Sequence, residues 1–202
     1  MNEIKAMNEG RRAFLARLGQ AIGGASAAYL ASAGLSQAIA YQIRADSASR
    51  PGIIFSQPQM ATLHDICASI IPRTDTKSAA EVDCHGFVDH QLSECHSKDE
   101  QQSCRQIIDH IDQMAKQNHG KAFVDLEHKQ QSALLRNLEA LKGADQSQKA
   151  AFSMLKALIV FGYFTSQEGA SVALDYQAFP GGFKGSVPVT TTTKVHGSLN
   201  YY

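Results

Sequence analysis

Through the middle of the chain, apolar residues recur at three- and four-residue spacing, the period of helices that turn one face to a core. Met60, Leu63, Ile66, Cys67 and Ile70 form the first such stripe. Ser56 ahead of it can cap, Gln59 completes a capping box, and Pro58 suits the first turn. Pro72 stops this helix, because the residue before a proline avoids the α region. Arg73 to Asp83 reads as loop. A second helix is predicted from about Cys84 to Cys95, with Phe87, Val88 and Leu92 inward. Ser97-Lys98-Asp99-Glu100 opens a third, with acids in the first turn where the helix dipole favours them. Ile107, Ile108, Ile111 and Met114 mark its buried face, and Gly120 ends it.

A fourth helix is predicted from about Asp125 to Leu141, with Leu134, Leu135, Leu138 and Leu141 inward and Gly143 as its stop. A fifth spans about Gln146 to Phe164. Phe152, Leu155, Leu158, Ile159, Val160 and Phe161 make it apolar nearly all round, the mark of a central helix. From Asp175 the chain is rich in Gly, Pro, Thr and Val without helical period. It reads as an extended tail, disordered or ordered by lying on something. Tyr176, Phe179, Phe183, Val187 and Val189 alternate there with small residues, a pattern suited to an interaction surface. The fold class is therefore all-α: a small domain of about five helices, with an N-terminal signal helix and an extended C-terminal tail. The predicted organisation is an export signal over 1–40, a linker over 41–55, a helical domain over 56–174 and a partner-binding tail over 175–202.

The N-terminal segment carries a different pattern. Arg11-Arg12 followed by Phe14-Leu15 opens a twin-arginine export signal. Leu18 to Ala38 is mildly apolar and interrupted by Gly19, Gly23, Gly24 and Gly34, weaker than the about 20 predominantly apolar residues of a membrane span. Ala38-Ile39-Ala40 offers a small-x-small cleavage site. The signal is either removed there or retained as a tethering helix. A twin-arginine signal implies the twin-arginine translocase as a partner and the periplasm as destination. The protein would be free there, or membrane-associated through a complex or an uncleaved signal helix. That route moves cargo folded beforehand, commonly because it holds a cofactor or rides with a partner that does.

Composition narrows the function classes. Of 202 residues, 44% are hydrophobic and 19% charged, enough apolar material for a sizeable core and too much for bulk disorder. Lys+Arg and Asp+Glu both number 19. The balance argues against a nucleic-acid binder, which would show a basic excess or stripe. No G-x-G-x-x-G opens a strand–helix unit, no P-loop occurs, and no C-x-x-C-H would hold a covalent haem. Gly181-Gly182-Phe183-Lys184-Gly185 has no strand before it and no helix after it, and reads as a turn. Asp109 and Asp112 share a helix face among polar neighbours, a solvated face rather than a catalytic pair.

The densest polar constellation is Cys84-His85, His90, Cys95-His96, Cys104 and His110. Cys and His are the usual zinc ligands. Adjacent Cys-His residues on one helix, however, point about 100° apart and do not easily chelate one ion together. In an oxidising compartment the four cysteines could instead pair. Cys95 with Cys104 would pin a helix junction, and Cys67 with Cys84 would clip the first helix to the second. A free, buried Cys67 packing as a small hydrophobe is the third option. An exported metal-binding protein or enzyme built on this cluster, and a haem- or quinone-binding subunit, stay open as rivals.

Two stretches go beyond generic helix. One is Ile70-Ile71-Pro72-Arg73-Thr74-Asp75-Thr76, with Ala79-Ala80 and then Phe87-Val88-Asp89. The other is Gly162-Tyr163-Phe164-Thr165-Ser166-Gln167-Glu168-Gly169-Ala170, with Leu174, Tyr176, Pro180-Gly181, Phe183, Gly185 and Val187-Pro188 after it. With the twin-arginine start, the chain resembles the gluconate 2-dehydrogenase subunit 3 family from about Phe55 to Val189. It departs at Lys77-Ser78, where members often have Pro-Gly, and at Ser186, where a Cys is common.

The resemblance implies a non-catalytic accessory subunit with no cofactor of its own. Its partner would be a large FAD-dependent dehydrogenase subunit of the glucose-methanol-choline type, acting on a sugar or alcohol and often lacking an export signal. The small subunit would lend its signal and help the large one mature. A cytochrome c subunit carrying haem c often completes such complexes. Partner contact is expected at Pro72, Arg73, Thr74, Asp75, Tyr163, Phe164, Thr165, Tyr176, Pro180, Gly181 and Phe183. On the residues alone, Arg73 and Asp75 could equally serve only a turn, and Tyr163 and Phe164 could be core.

Overall fold

The computed structural model describes residues 41–140 and 146–174, with Ser186 and Pro188. The chain divides into two compact units, Met1–Ala40 and Tyr41–Tyr202. The predicted signal residues Arg11, Arg12, Phe14, Leu15, Ala38 and Ala40 lie outside the described residues, as do Leu141, Gly143, Tyr176, Phe179, Pro180, Gly181 and Phe183.

Among the described residues five α-helices follow one another: α1 (Gln57–Ile70), α2 (Cys84–Cys95), α3 (Lys98–His119), α4 (His128–Ala140) and α5 (Gln146–Thr165). There is no strand among the described residues. Helix α5 packs on all four others, as its nearly all-round apolar surface requires, and α1 also reaches α2, α3 and α4. The core between them holds Leu63, Ile66, Val88, Leu92, Ile111, Phe123, Leu138, Leu155 and Ile159, all without solvent exposure. Each such side chain contributes about 1.5–3 kcal/mol on burial. The exposed ion pairs Arg50–Asp46 and Lys116–Asp112 are worth about 0–1 kcal/mol each, so packing decides the fold.

The helix ends follow local chemistry. Gln59 Oε1 accepts the Ser56 N–H at 3.0 Å at the start of α1. Ser97 and Glu100 form a reciprocal box at the start of α3, the carboxylate accepting the Ser97 N–H at 2.8 Å. Gly120 ends α3 in the left-handed region at φ 68°, donating to the Lys116 carbonyl at 2.9 Å. Helix α1 ends at Ile70, two residues before Pro72.

Helix α4 begins at His128, three residues later than the pattern predicts, because Phe123 takes the chain into a 3₁₀ turn, Phe123–Asp125. Asp112 Oδ1 accepts the Phe123 N–H at 2.9 Å, and Gln131 Nε2 donates to the Phe123 carbonyl at 3.0 Å. The backbone of the buried Phe123 is thus fixed from both neighbouring helices.

Residues 41–55, expected as a linker, lie on the domain. Two buried aspartates of the α2 segment hold them. Asp83 Oδ2 accepts the Tyr41 phenol O–H, the Arg44 N–H at 2.7 Å and the Ser47 hydroxyl at 3.1 Å. Asp89 accepts the N–H groups of Ile53 at 2.5 Å, Ile54 at 3.0 Å and Phe55 at 3.1 Å. Buried carboxylates need such donors, since an unpaired charge away from water costs several kcal/mol. No helix among the described residues is long and apolar enough to cross a membrane.

Candidate functional site

The loop after α1 is built by its own side chains. Thr74 N–H donates to the Thr76 carbonyl at 3.1 Å, and its hydroxyl donates to Asp75 Oδ1 at 2.9 Å, closing a tight turn. Glu81 gathers the next stretch. Its carboxylate accepts the Ser78 N–H at 2.8 Å and hydroxyl at 3.0 Å, and pairs with the Arg73 guanidinium. The Ser78 donors first, then the cations of Arg73 and Lys77, hold the Glu81 carboxyl below the usual carboxylate range. Ala79 N–H donates back to the Ile71 carbonyl at 3.0 Å, so the loop returns to the end of α1.

Helix α5 ends against this loop. Tyr163 is buried, and its phenol donates to the Lys77 carbonyl at 3.0 Å while lying 3.0 Å from Thr76 Oγ1. Glu168 Oε1 accepts the Lys77 N–H at 3.0 Å. Ser166 turns the chain out of the helix: its hydroxyl donates to the Tyr163 carbonyl at 2.6 Å and accepts the Gly169 N–H at 3.1 Å. The turn Gly169–Ala173 follows. A Cβ on Gly169 would stand 2.0 Å from the Tyr163 carbonyl oxygen, so only glycine lets the backbone fold over itself.

The two stretches that carry the family resemblance therefore meet in one corner. Pro72, Arg73, Thr74, Asp75 and Thr165 are exposed on it. Phe164 is half-buried, edge-on to Tyr163 with ring centroids 5.2 Å apart. Tyr163 itself faces inward and serves the corner's construction. Tyr176, Pro180, Gly181 and Phe183 lie outside the described residues.

The Cys/His constellation is dispersed. Cys84 and His85 are buried at the start of α2, Cys95 is exposed at its far end, and Cys104 is buried in α3. All four cysteines are free thiols, without the Cys95–Cys104 or Cys67–Cys84 bridge. Burial, then the Asp83 carboxylate, pushes the Cys84 thiol up to about 12. Burial, then Glu100, does the same to Cys104, and Cys67 is also well above its ordinary value. Such thiols are poor nucleophiles and poor metal ligands, since both roles need the thiolate. No group of three or more His, Cys, Asp or Glu side chains among the described residues is placed to hold a metal ion.

His85 occupies a different setting. Its Nε2 lies 3.3 Å from Asp83 Oδ1, and its ring stands edge-on to His64 at 5.0 Å. His64 Nδ1 in turn lies 2.8 Å from Asp65 Oδ1. Burial lowers His85 to about 4 against the opposing pull of Asp83. Asp83 also takes a left-handed backbone at φ 60°, the one such non-glycine among the described residues. A strained, buried aspartate is held there because its carboxylate is needed, as a clamp for residues 41–47. The sequence signal for this was present: Asp83 and Asp89 are acids in a segment otherwise buried against the core.

Comparison with curated proteins and with solved structures gives no match. Residues 57–181 match the family described as gluconate 2-dehydrogenase subunit 3. That span contains the α-helices α1 to α5 and both stretches of the corner, and the chain belongs to the gluconate 2-dehydrogenase subunit 3 family.

Proposed function

We propose that this chain is the small, non-catalytic subunit of a multi-subunit, membrane-associated dehydrogenase. Its large partner is an FAD-dependent subunit of the glucose-methanol-choline type acting on a sugar or alcohol. The chain escorts that partner through the twin-arginine translocase to the periplasm and supports its maturation. FAD belongs to the large subunit, and haem c to a cytochrome subunit that receives the electrons. The observation that carries this reading is the corner itself. Tyr163, Thr76, Lys77 and Glu168 spend their polar groups on building a surface, and the exposed residues Arg73, Thr74, Asp75 and Thr165 stand on it. Burial holds the Cys67, Cys84 and Cys104 thiols well above their ordinary values, which suits packing better than chemistry.

The experiment is co-expression of the C-terminally tagged chain with its neighbouring genes, followed by capture from periplasmic and membrane fractions. A co-purifying flavoprotein with an oxidised-flavin spectrum is expected. Replacing Arg11 and Arg12 together by lysine should leave both chains in the cytoplasm. A tagged chain recovered alone and without flavin would remove the reading. Stoichiometric zinc or iron in that material would move the weight to the Cys84–His110 cluster.

A further inference from the structure

We infer that the cleft between the end of α1 and the facing sides of α4 and α5 binds a small aliphatic carboxylate, with Arg136 taking the anionic head and Phe152 lying against the apolar body. The inference is independent of the docking reading, since it needs no partner subunit.

Three helices supply the cleft. Helix α4 brings Ser132, Leu135, Arg136 and Glu139, the i, i+3, i+4 and i+7 positions of one helix face. Helix α5 brings Phe152 and Lys156, about one turn apart, and α1 ends there with Ser69 and Ile70. The cleft holds about 170 Å³, below the about 300–1,000 Å³ of a site for a drug-sized ligand, so its occupant is small. Part of its lining is apolar: Leu135 and Phe152 are buried and Ile70 is half-buried.

Charge decides what the cleft takes. Glu139 is three residues beyond Arg136, within reach of an intrahelical pair, yet its carboxylate pairs across to Lys156 of α5. Arg136 is exposed and makes no ion pair or hydrogen bond among the described residues. Two cations and one carboxylate leave the cleft with one positive charge in excess. The Ser69 hydroxyl is spent on Gln131 Oε1 at 3.2 Å, whereas the Ser132 hydroxyl has no partner among the described residues. The donors left over are therefore a guanidinium and a hydroxyl one turn apart on α4.

A guanidinium presents paired N–H groups in the plane that a carboxylate accepts, and Ser132 adds an O–H donor beside it. A phosphate would bring a second charge that Arg136 alone does not answer, and an all-polar body against Leu135 and Phe152. A short-chain carboxylate matches both features, with one charge and an apolar body. Two groups oppose it: the Glu139 carboxylate, and the negative end of the α1 dipole at Ser69 and Ile70. The first is already paired and the second is a partial charge, so the expected affinity is millimolar.

The test is an amide NMR titration of the isotope-labelled full-length chain with sodium butyrate, at neutral pH and constant ionic strength. Saturable shifts are expected at Ser69, Ser132 and Arg136. Butyrate should bind at least about threefold tighter than acetate, which has two fewer methylenes to bury. Arg136→Gln should weaken butyrate about tenfold or more. Glu139→Gln removes the opposing charge and frees Lys156, and should tighten it about threefold or more. No saturable shift, or equal affinity in Arg136→Gln, overturns the site. Weaker binding in Glu139→Gln overturns the charge argument. Phosphate binding as tightly as butyrate would show only a general attraction of anions to surface cations, and overturns the assignment to a carboxylate. The comparison of butyrate, acetate and phosphate uses the unaltered chain, so it decides the matter even where a variant fails to fold.

Discussion

The Tyr163 phenol and the Lys77 carbonyl lie 3.0 Å apart across 86 residues of sequence, joining the end of the last helix to the loop after the first. A buried phenol must find a partner, and here it finds a main-chain oxygen that no helix would otherwise satisfy. Tyr163→Phe removes the donor and leaves that carbonyl and Thr76 unpaired with it. The expected loss is about 1 kcal/mol, seen as a drop of about 2–4 °C in Tm by thermal unfolding. An unchanged Tm would mean that the corner is held without this bond.

Two glycines should answer differently to alanine. Gly169→Ala places a Cβ 2.0 Å from a backbone oxygen, where no side chain can move aside, and should cost about 1–3 kcal/mol. Gly120→Ala meets open space and pays only for its left-handed φ, about 1 kcal/mol. Chemical denaturation of both variants ranks them, and a larger effect at Gly120 would contradict the close approach at Gly169.

Asp89 accepts three consecutive backbone N–H groups, so the choice of replacement matters. Asp89→Asn keeps one accepting oxygen and should cost roughly 1–2 kcal/mol, whereas Asp89→Ala orphans all three donors and should cost roughly 2–4 kcal/mol. Amide hydrogen exchange at Ile53, Ile54 and Phe55 should rise in both, while that of α3 and α4 stays slow. Exchange that rises everywhere equally would show that the strap and the bundle unfold together.

His85 sets an acid limb on stability. Burial holds it at about 4, below the about 6.5 of an exposed imidazole. Between those values the unfolded chain binds a proton that the folded chain does not. Stability is therefore full above about pH 6.5 and falls as pH drops towards about 4. The groups facing it are Asp83, His64 and Asp65. His85→Gln should flatten this part of the curve in denaturant titrations at stepped pH. An identical slope in wild type and variant would assign the limb to other groups.

The thiols should sort by burial. Cys67, Cys84 and Cys104 are at most 1% exposed, and Cys95 is at the surface. Maleimide at neutral pH should label one thiol per native, reduced chain within minutes and all four in denaturant. Cys95→Ser should abolish the fast label. Two or more fast labels would mean that the α1–α2 contact opens readily.

Much of this architecture can be read from the chain alone, because its signals are periodic. The predicted bounds of α2, Cys84 to Cys95, coincide with those observed, since an apolar stripe and flanking polar turns define both ends. Helix α4 was harder, because the buried Phe123 and the Asp112 carboxylate impose a turn that no local propensity announces. The strap over 41–55 has no period at all. It is held by side-chain oxygens reaching back to backbone N–H groups from 34 to 39 residues away, and such pairings leave only two unexplained acids in the sequence. The corner was legible as two motifs. Their meeting was not, because the phenol of Tyr163 looks the same in sequence whether it faces a partner or the loop of its own chain.

Asp83 and Asp89 enter the chain well after the segment they secure. On the ribosome, residues 41–55 emerge first and have nothing to bind until α2 has been synthesised and has turned its carboxylates towards them. Residues 41–55 thus take their final form only after the bundle has begun to assemble. A translation product that stops short of α2 would carry residues 41–55 as a loose segment, without the carboxylates that fix it in the finished domain.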